Sequence, residues 1–193
     1  MLRLFVAIEL PEATRRRLAA LARPLPGAAW VRAESMHLTL NFIGEIDEGL
    51  AADIDIELAR ISLPAFELAL AGLDQFESRA RVRALWVGVE RAPALLGLQA
   101  RVEAALKRAG AAPEARRFTP HVTLARFRDV PIHKVAPFIS SRNAFRDGPI
   151  AVEEFALMSS KLGHHGSTYT AERRYPLAGA GIRALAEEWA HGS

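Results

Sequence analysis

The sequence predicts an α+β protein: two pseudo-symmetric lobes, each an antiparallel sheet with outer helices, meeting at a central cleft. Three observations carry that expectation. The order strand, helix, strand, helix, strand runs twice along the 193 residues, with equivalent points 81 to 89 residues apart. A period that long and used only twice belongs to paired lobes, not to a solenoid. Apolar residues alternate in the strand segments and recur at helical spacing between them. No low-complexity linker separates the halves, so both are expected in one domain spanning 1–193.

Taken in order, Leu2–Glu9 alternates, with Leu4, Val6 and Ile8 on one face, and reads as a strand. Pro11 suits a first helical position, and Leu18 and Leu21 give 11–22 an apolar stripe that Pro24, Pro26 and Gly27 end. After "AAWVRA" comes a second alternating strand, "MHLTLNFIGE", closed by Gly44. Asp47 is placed to cap a helix carrying Leu50, Ile54, Leu58 and Ile61, and "FELALAGLDQF" follows as a strand. The first unit thus covers about 2–76 and the second about 82–162. The second opens on "RALWVGVE", which matches "RLFVAIEL", and continues with a helix from about Pro93 to Arg108 that stops near Gly110. "FTPHVTLARF" is the counterpart of the second strand. A short segment after Pro131 precedes one apolar strand, "AVEEFALMSSKL". The remainder, 168–190, offers a last strand in "STYTAERRYPLAG" and a short helix bearing Ile182, Leu185 and Trp189.

Composition narrows the chemistry. There is no cysteine, which excludes disulfides, thiolate metal sites and a cysteine nucleophile. No apolar run approaches a membrane span, and Glu9 interrupts the opening stretch, which reads as a strand and not as a signal peptide. A cytoplasmic location is expected. Net charge is only +3, but arginines cluster at 15–17, 79/81/83, 116/117, 126/128 and 173/174, compatible with a phosphate-bearing ligand. No carboxylates stand at metal-ligand spacing, so neither a metal nor another cofactor is expected. His164 and His165 read as a solvated loop, and His133 and His191 have no partner signature.

The duplicated order carries a duplicated tetrapeptide: "HLTL" at 37–40 and "HVTL" at 121–124. Composition alone predicts about 0.02 His-x-Thr-Leu matches, so two at equivalent points are not a chance event. Strand alternation points His37 and Thr39 to one face and Leu38 and Leu40 to the other, and treats His121 and Thr123 likewise. The apolar pair can face the core, which leaves the polar pair to a cleft. The bland alternative is two half-buried histidines bonded to neighbouring backbone. Two facing imidazoles have a chemical use, because near neutral pH one can take a proton while the other gives one. The hydroxyls of Thr39 and Thr123 are placed to hold a phosphoryl oxygen between them. In-line displacement at phosphorus wants acid and base on opposite sides, although a two-fold site does not say which is which.

Three further positions are candidates. Phe5 and Trp86, matched in the two units and opposite their strands' aliphatic stripe, could stack a nucleobase or simply pack. Arg126 could hold phosphate, yet strict alternation puts it on the face of Leu124, away from Thr123.

Together "HLTL", "HVTL", "RLFVAIELP", "FIGE", "FTPHVTLAR" and "SSKLGHHGSTY" resemble the two-histidine phosphoesterase superfamily, and within it the RNA 2',3'-cyclic phosphodiesterase family, also called 2'-5' RNA ligase-like. The resemblance spans 3 to about 177. It implies metal-independent opening of a 2',3'-cyclic phosphate at an RNA end to leave a 2'-phosphate, with His37 as proton donor, His121 as proton acceptor, Arg126 on phosphate and Tyr169 near the cleft rim. It also implies the reverse, 2'-5' joining, as a secondary activity. The expected partner is RNA with a cyclic phosphate end or a small cyclic nucleotide, met by a monomer with no membrane and no obligate protein partner. Rival readings are a phosphodiesterase for small cyclic phosphates or 2'-5' linkages, and a module that binds RNA ends without turnover.

Overall fold

Among the described residues alternating apolar side chains fold into nine strands, and helices cover one face of the sheet they form. The computed structural model describes residues 2–90, 92–112, 116–163 and 166–178. In chain order they form β1 (Leu2–Glu9), α1 (Glu12–Ala19), β2 (Ala28–Trp30), β3 (His37–Ile46), α2 (Glu48–Ala59), β4 (Phe66–Ser78) and β5 (Arg81–Val89). Then come α3 (Pro93–Arg108), β6 (His121–Pro131), α4 (Ile132–Arg142), β7 (Arg146–Val152), β8 (Glu154–Gly163) and β9 (Gly166–Pro176). A 3-10 turn, Ala33–Ser35, leads into β3. The expected terminal helix at 182–190, His164, His165 and His191 lie outside the described residues.

The local causes are those the sequence announced. Asp47 caps α2 by accepting from the Leu50 N–H at 2.9 Å. Pro93 opens α3, and Gly110, at φ 91°, takes the left-handed conformation that ends it. Leu18 of α1, Ile54 and Leu58 of α2, Leu95, Leu98 and Val102 of α3 and Val135 of α4 pack with Leu4, Val6, Ile8, Leu38 and Val122 of the sheet in one core. Burying each such side chain stabilises the fold by roughly 1.5–3 kcal/mol. On the other face Phe5, Ala7, Ala156 and Met158 form a smaller cluster with Tyr169 beside it.

The lobes are expected to carry separate sheets, but the strands make one curled antiparallel sheet in the order β7-β4-β5-β6-β3-β1-β8-β9, with β2 paired to β6. Its halves join through a single rung, Leu38 to Val122. The halves also do not coincide with the sequence units. β4, the last strand of the first unit, pairs with β5 and β7, and β8 pairs back with β1. The expected strand "AVEEFALMSSKL" is two strands in different halves, broken at Glu153. β7 begins upstream in "RDGPI", where Gly and Pro hide any alternation; a proline is tolerated there because β7 is an edge strand.

Candidate functional site

Each His-x-Thr-Leu segment opens a strand, His37 in β3 and His121 in β6. The Leu38–Val122 rung lies between them. Its antiparallel register sets Thr39 opposite His121 and Thr123 opposite His37. Leu38 and Val122 are fully buried on the helix side, so all four polar side chains face the cleft. That cleft measures about 270 Å³ and is lined by His37, Thr39, His121, Thr123, Arg126, Phe42, Phe76, Arg116 and Tyr169, among others.

The rings are held alike on the two walls. His37 Nδ1 donates to the Ser35 carbonyl at 2.9 Å, and His121 Nδ1 donates to the Thr119 carbonyl at 2.6 Å. A carbonyl only accepts, so each Nδ1 keeps its hydrogen and Nε2 is the nitrogen left for chemistry. The bland alternative, histidines bonded to neighbouring backbone, therefore describes half of each ring. Aromatic side chains grip the other edges. Phe5 lies 4.9 Å from His37 and Tyr169 stands edge-on to it at 4.9 Å. On the facing wall Phe76 stands edge-on to His121 at 4.8 Å and Trp86 lies 5.7 Å away.

Burial lowers the pKa of both imidazoles below the ordinary histidine value. The backbone hydrogen bond of each opposes that shift, and the Arg126 guanidinium adds to it at both rings. His37 is also lowered by His121 and raised by Glu9, whereas His121 is lowered by Arg116. Glu9 pairs in register with His37, and the matching partner of His121 is Gly88, so only one wall sets a carboxylate beside its histidine.

Arg126 reaches the cleft despite the alternation that points it away. Trp86 pairs with Thr123 and Leu85 with Ala125, which leaves Leu124 as an extra residue in β6. That bulge puts Leu124 and Ala125 both in the core and returns Arg126 to the face of Thr123. The same bulge occurs in β3, where Ala7 pairs with Thr39 and Val6 with Asn41, leaving Leu40 extra. Phe42 is thereby brought to the cleft, five residues after His37 as Arg126 is five after His121. Among the described residues no carboxylate pairs with Arg126.

The structure places Phe5 and Trp86 at different register positions. Phe5 pairs with Phe42 and Trp86 with Thr123, so the two are not equivalent; Ala7 occupies the place of Trp86. Phe5 is only 2% exposed, which leaves it no free face for a base, and it packs against His37 instead. Trp86 is half-buried between Phe76 and His121. The exposed aromatic face is that of Phe42, 38% exposed with Arg3 over its ring at 5.4 Å. Phe42, Phe76 and Glu9 went unrecognised in the sequence; the shared five-residue offset from each histidine was the signal that could have found the first. Among the described residues no group of three or more His, Cys, Asp or Glu side chains is arranged to hold a metal ion.

A pair of imidazoles on facing walls, each with Nε2 turned to a pocket of hydroxyls and one guanidinium, defines the scaffold of a two-histidine phosphoesterase. The comparisons agree. The chain belongs to the 2'-5' RNA ligase superfamily, whose family model matches residues 8–164. It is similar to the RNA 2',3'-cyclic phosphodiesterase of Thermotoga maritima, at 32% identity over 87% of this chain and 91% of that one. Against the Escherichia coli protein of the same name the identity is 30% over 91% and 96%. The crystal structure of E. coli LigT complexed with 3'-AMP superposes with a TM-score of 0.74, 29% identity and coverage of 92% and 98%. That of TT0787 from Thermus thermophilus gives 0.72, 27%, and 90% and 97%.

Proposed function

We propose that this chain is an RNA 2',3'-cyclic phosphodiesterase, opening the cyclic phosphate with water and leaving a 2'-phosphate. One observation carries the reading: two imidazoles on opposite walls of one cleft, each committed through Nδ1 to backbone, leave their Nε2 atoms for chemistry. His121 takes the proton of the attacking water. His37 protonates the departing 3' oxygen, so the P–O3' bond breaks as the new P–O bond forms on the opposite side. Glu9 beside His37 and Arg116 beside His121 favour that division, because a carboxylate helps one imidazole hold a proton and a cation helps the other stay free of one.

Arg126 and the hydroxyls of Thr39 and Thr123 hold the non-bridging oxygens, where they meet charge as it builds. In the free site burial and Arg126 hold both imidazoles below the ordinary histidine value. The anionic phosphate offsets Arg126, raises both histidines towards the charged form, and so brings the acid its proton. No helix among the described residues is long and apolar enough to cross a membrane. In this reading the protein works as a monomer in the cytoplasm, on RNA ends or on small cyclic nucleotides.

The deciding experiment is end-group analysis of a defined cyclic-phosphate oligoribonucleotide, with and without chelator. A 2'-phosphate formed equally in both conditions is expected; a 3'-phosphate, or loss of activity with chelator, overturns the reading. Replacing the 3' leaving group by 4-nitrophenol in an open diester separates acid from base. His37→Ala then recovers most of its rate, since that leaving group needs no proton, and His121→Ala does not.

A further inference from the structure

Strand pairing puts a carboxylate opposite His37 but does not keep it there. Glu9, the last residue of β1, is in register with His37, so the two side chains leave the same face of the sheet with Cβ atoms roughly 5 Å apart. A carboxylate at a strand end, 37% exposed, is free to turn to water. Instead Arg174 of β9 donates through Nε to Glu9 Oε2 at 2.8 Å, and its other neighbour, Glu154 Oε1 at 3.4 Å, anchors the guanidinium a second time. β9 does not pair with β1, since β8 lies between them. Arg174 is in register with Ala156 of β8, and Ala156 with Ala7 of β1, so only methyl groups stand along that line and the long arginine crosses to Glu9.

With side chains 37% and 52% exposed, the pair adds little to stability. Its consequence is where it leaves the carboxylate. Of the charged groups that act on the His37 ring, Arg126 and His121 of β6 lower it and Glu9 raises it. Arg15 of α1 and Glu34 of the 3-10 turn line a recess of about 310 Å³ with His37, Glu9 and Arg174, but Glu34 pairs with Arg32 at 3.8 Å. Arg3 reaches the ring's pocket beside Phe42, Tyr169 stands edge-on to the ring, and Arg116 acts on the other histidine. The facing wall lacks the arrangement. Gly88 is in register with His121, and a Cβ there would lie 2.9 Å from the Ala71 carbonyl oxygen, so no carboxylate can take that place without moving backbone.

We propose that Arg174 is a positioning residue: it holds the Glu9 carboxylate against His37, and this placement, which Gly88 denies to His121, makes His37 the imidazole that keeps the proton. The inference rests on the acid and base roles proposed above and supplies what sets them. Neither residue touches the phosphate. Glu9 acts through the ring of His37, and Arg174 acts through Glu9. The last described strand of the chain thereby grips the acid histidine twice, by the edge-on ring of Tyr169 and by the carboxylate that Arg174 steers.

The test is an NMR titration of the His37 and His121 rings in the protein without ligand, which stands whether or not the cyclic phosphate proves to be the substrate. Glu9→Gln, which keeps the size and the bond from Arg174, lowers the proton affinity of His37 about threefold and leaves that of His121 in place. Arg174→Met lowers it less, and Arg174→Lys restores it. The double variant Glu9→Gln/Arg174→Met falls no further than Glu9→Gln alone, because the second residue acts only through the first. An unchanged His37 in Glu9→Gln, no change or a rise in Arg174→Met, or equal shifts of both histidines overturns the inference. Kinetics give a second reading. Above the pH optimum Glu9→Gln turns over a cyclic-phosphate oligoribonucleotide more slowly and loses less on the 4-nitrophenyl diester, whose leaving group needs no acid. Equal losses on the two substrates overturn the inference as well.

Discussion

The two walls of the cleft are built alike up to the threonine and differ after it. Each begins a strand with histidine, ties Nδ1 to the carbonyl two residues back, sets threonine two residues on and inserts a buried leucine as a bulge. Five residues on, the bulge delivers Phe42 to one wall and Arg126 to the other. The lesson is a separation of tasks. The backbone repeats an imidazole on each wall of the cleft, and single side chains at matched positions make the walls differ. One guanidinium serves both walls, since Arg126 lowers both histidines.

The strongest way to break the comparison is to remove either histidine. His37→Ala and His121→Ala are each expected to lower turnover of a cyclic-phosphate RNA by about 10² or more, measured by single-turnover kinetics. Nearly full activity in either would mean that the walls do not act together. The offset pair comes next. Arg126→Ala costs about 10- to 100-fold in kcat/KM, through lost hydrogen bonds to a charged group. Phe42→Ala, with no charge to lose, costs less than about tenfold and acts chiefly on KM. Equal losses at both positions would show that the i+5 residues are not specialised.

A pH profile sharpens the shared role of Arg126. Both histidines titrate below the ordinary 6.5, so in the free enzyme the base is ready only above a depressed pKa and the acid loses its proton above another. The optimum of kcat/KM therefore lies below pH 6.5. Arg126→Ala removes one lowering cause from each ring and moves both limbs to higher pH; a shift of one limb alone would confine Arg126 to one wall. The smallest effect is on stability. A histidine whose folded pKa is depressed adds stability that is present above its unfolded pKa and lost as pH falls through the folded value. Tm is thus expected to fall from pH 7 to pH 5, and to fall less in either His→Ala variant.

Much of this was legible in the sequence because it rests on short-range periodicity. His37, Thr39, His121 and Thr123 were readable from two-residue alternation, and Asp47 from capping chemistry. Arg126 was not, because one bulged leucine reverses every later side chain in the strand, and nothing in "HVTLARF" marks Leu124 as the extra residue. Phe76 was hidden by pairing, since β4 follows the first motif in sequence and packs against the second. The matching of Phe5 to Trp86 followed similar strings, where register, two residues away, decides what lies opposite what.

The division of strands also sets an order of assembly. β4, β5, β6 and β7 run without interruption from 66 to 152, so the wall carrying His121 has all its strands as soon as that stretch has emerged from the ribosome. The wall carrying His37 starts first and finishes last, because β1 must wait for β8, with Phe5 pairing to Met158. Contacts at such separation close slowly. The half of the site that carries His37 is therefore completed only after the half that carries His121, once β8 has been made to pair with β1.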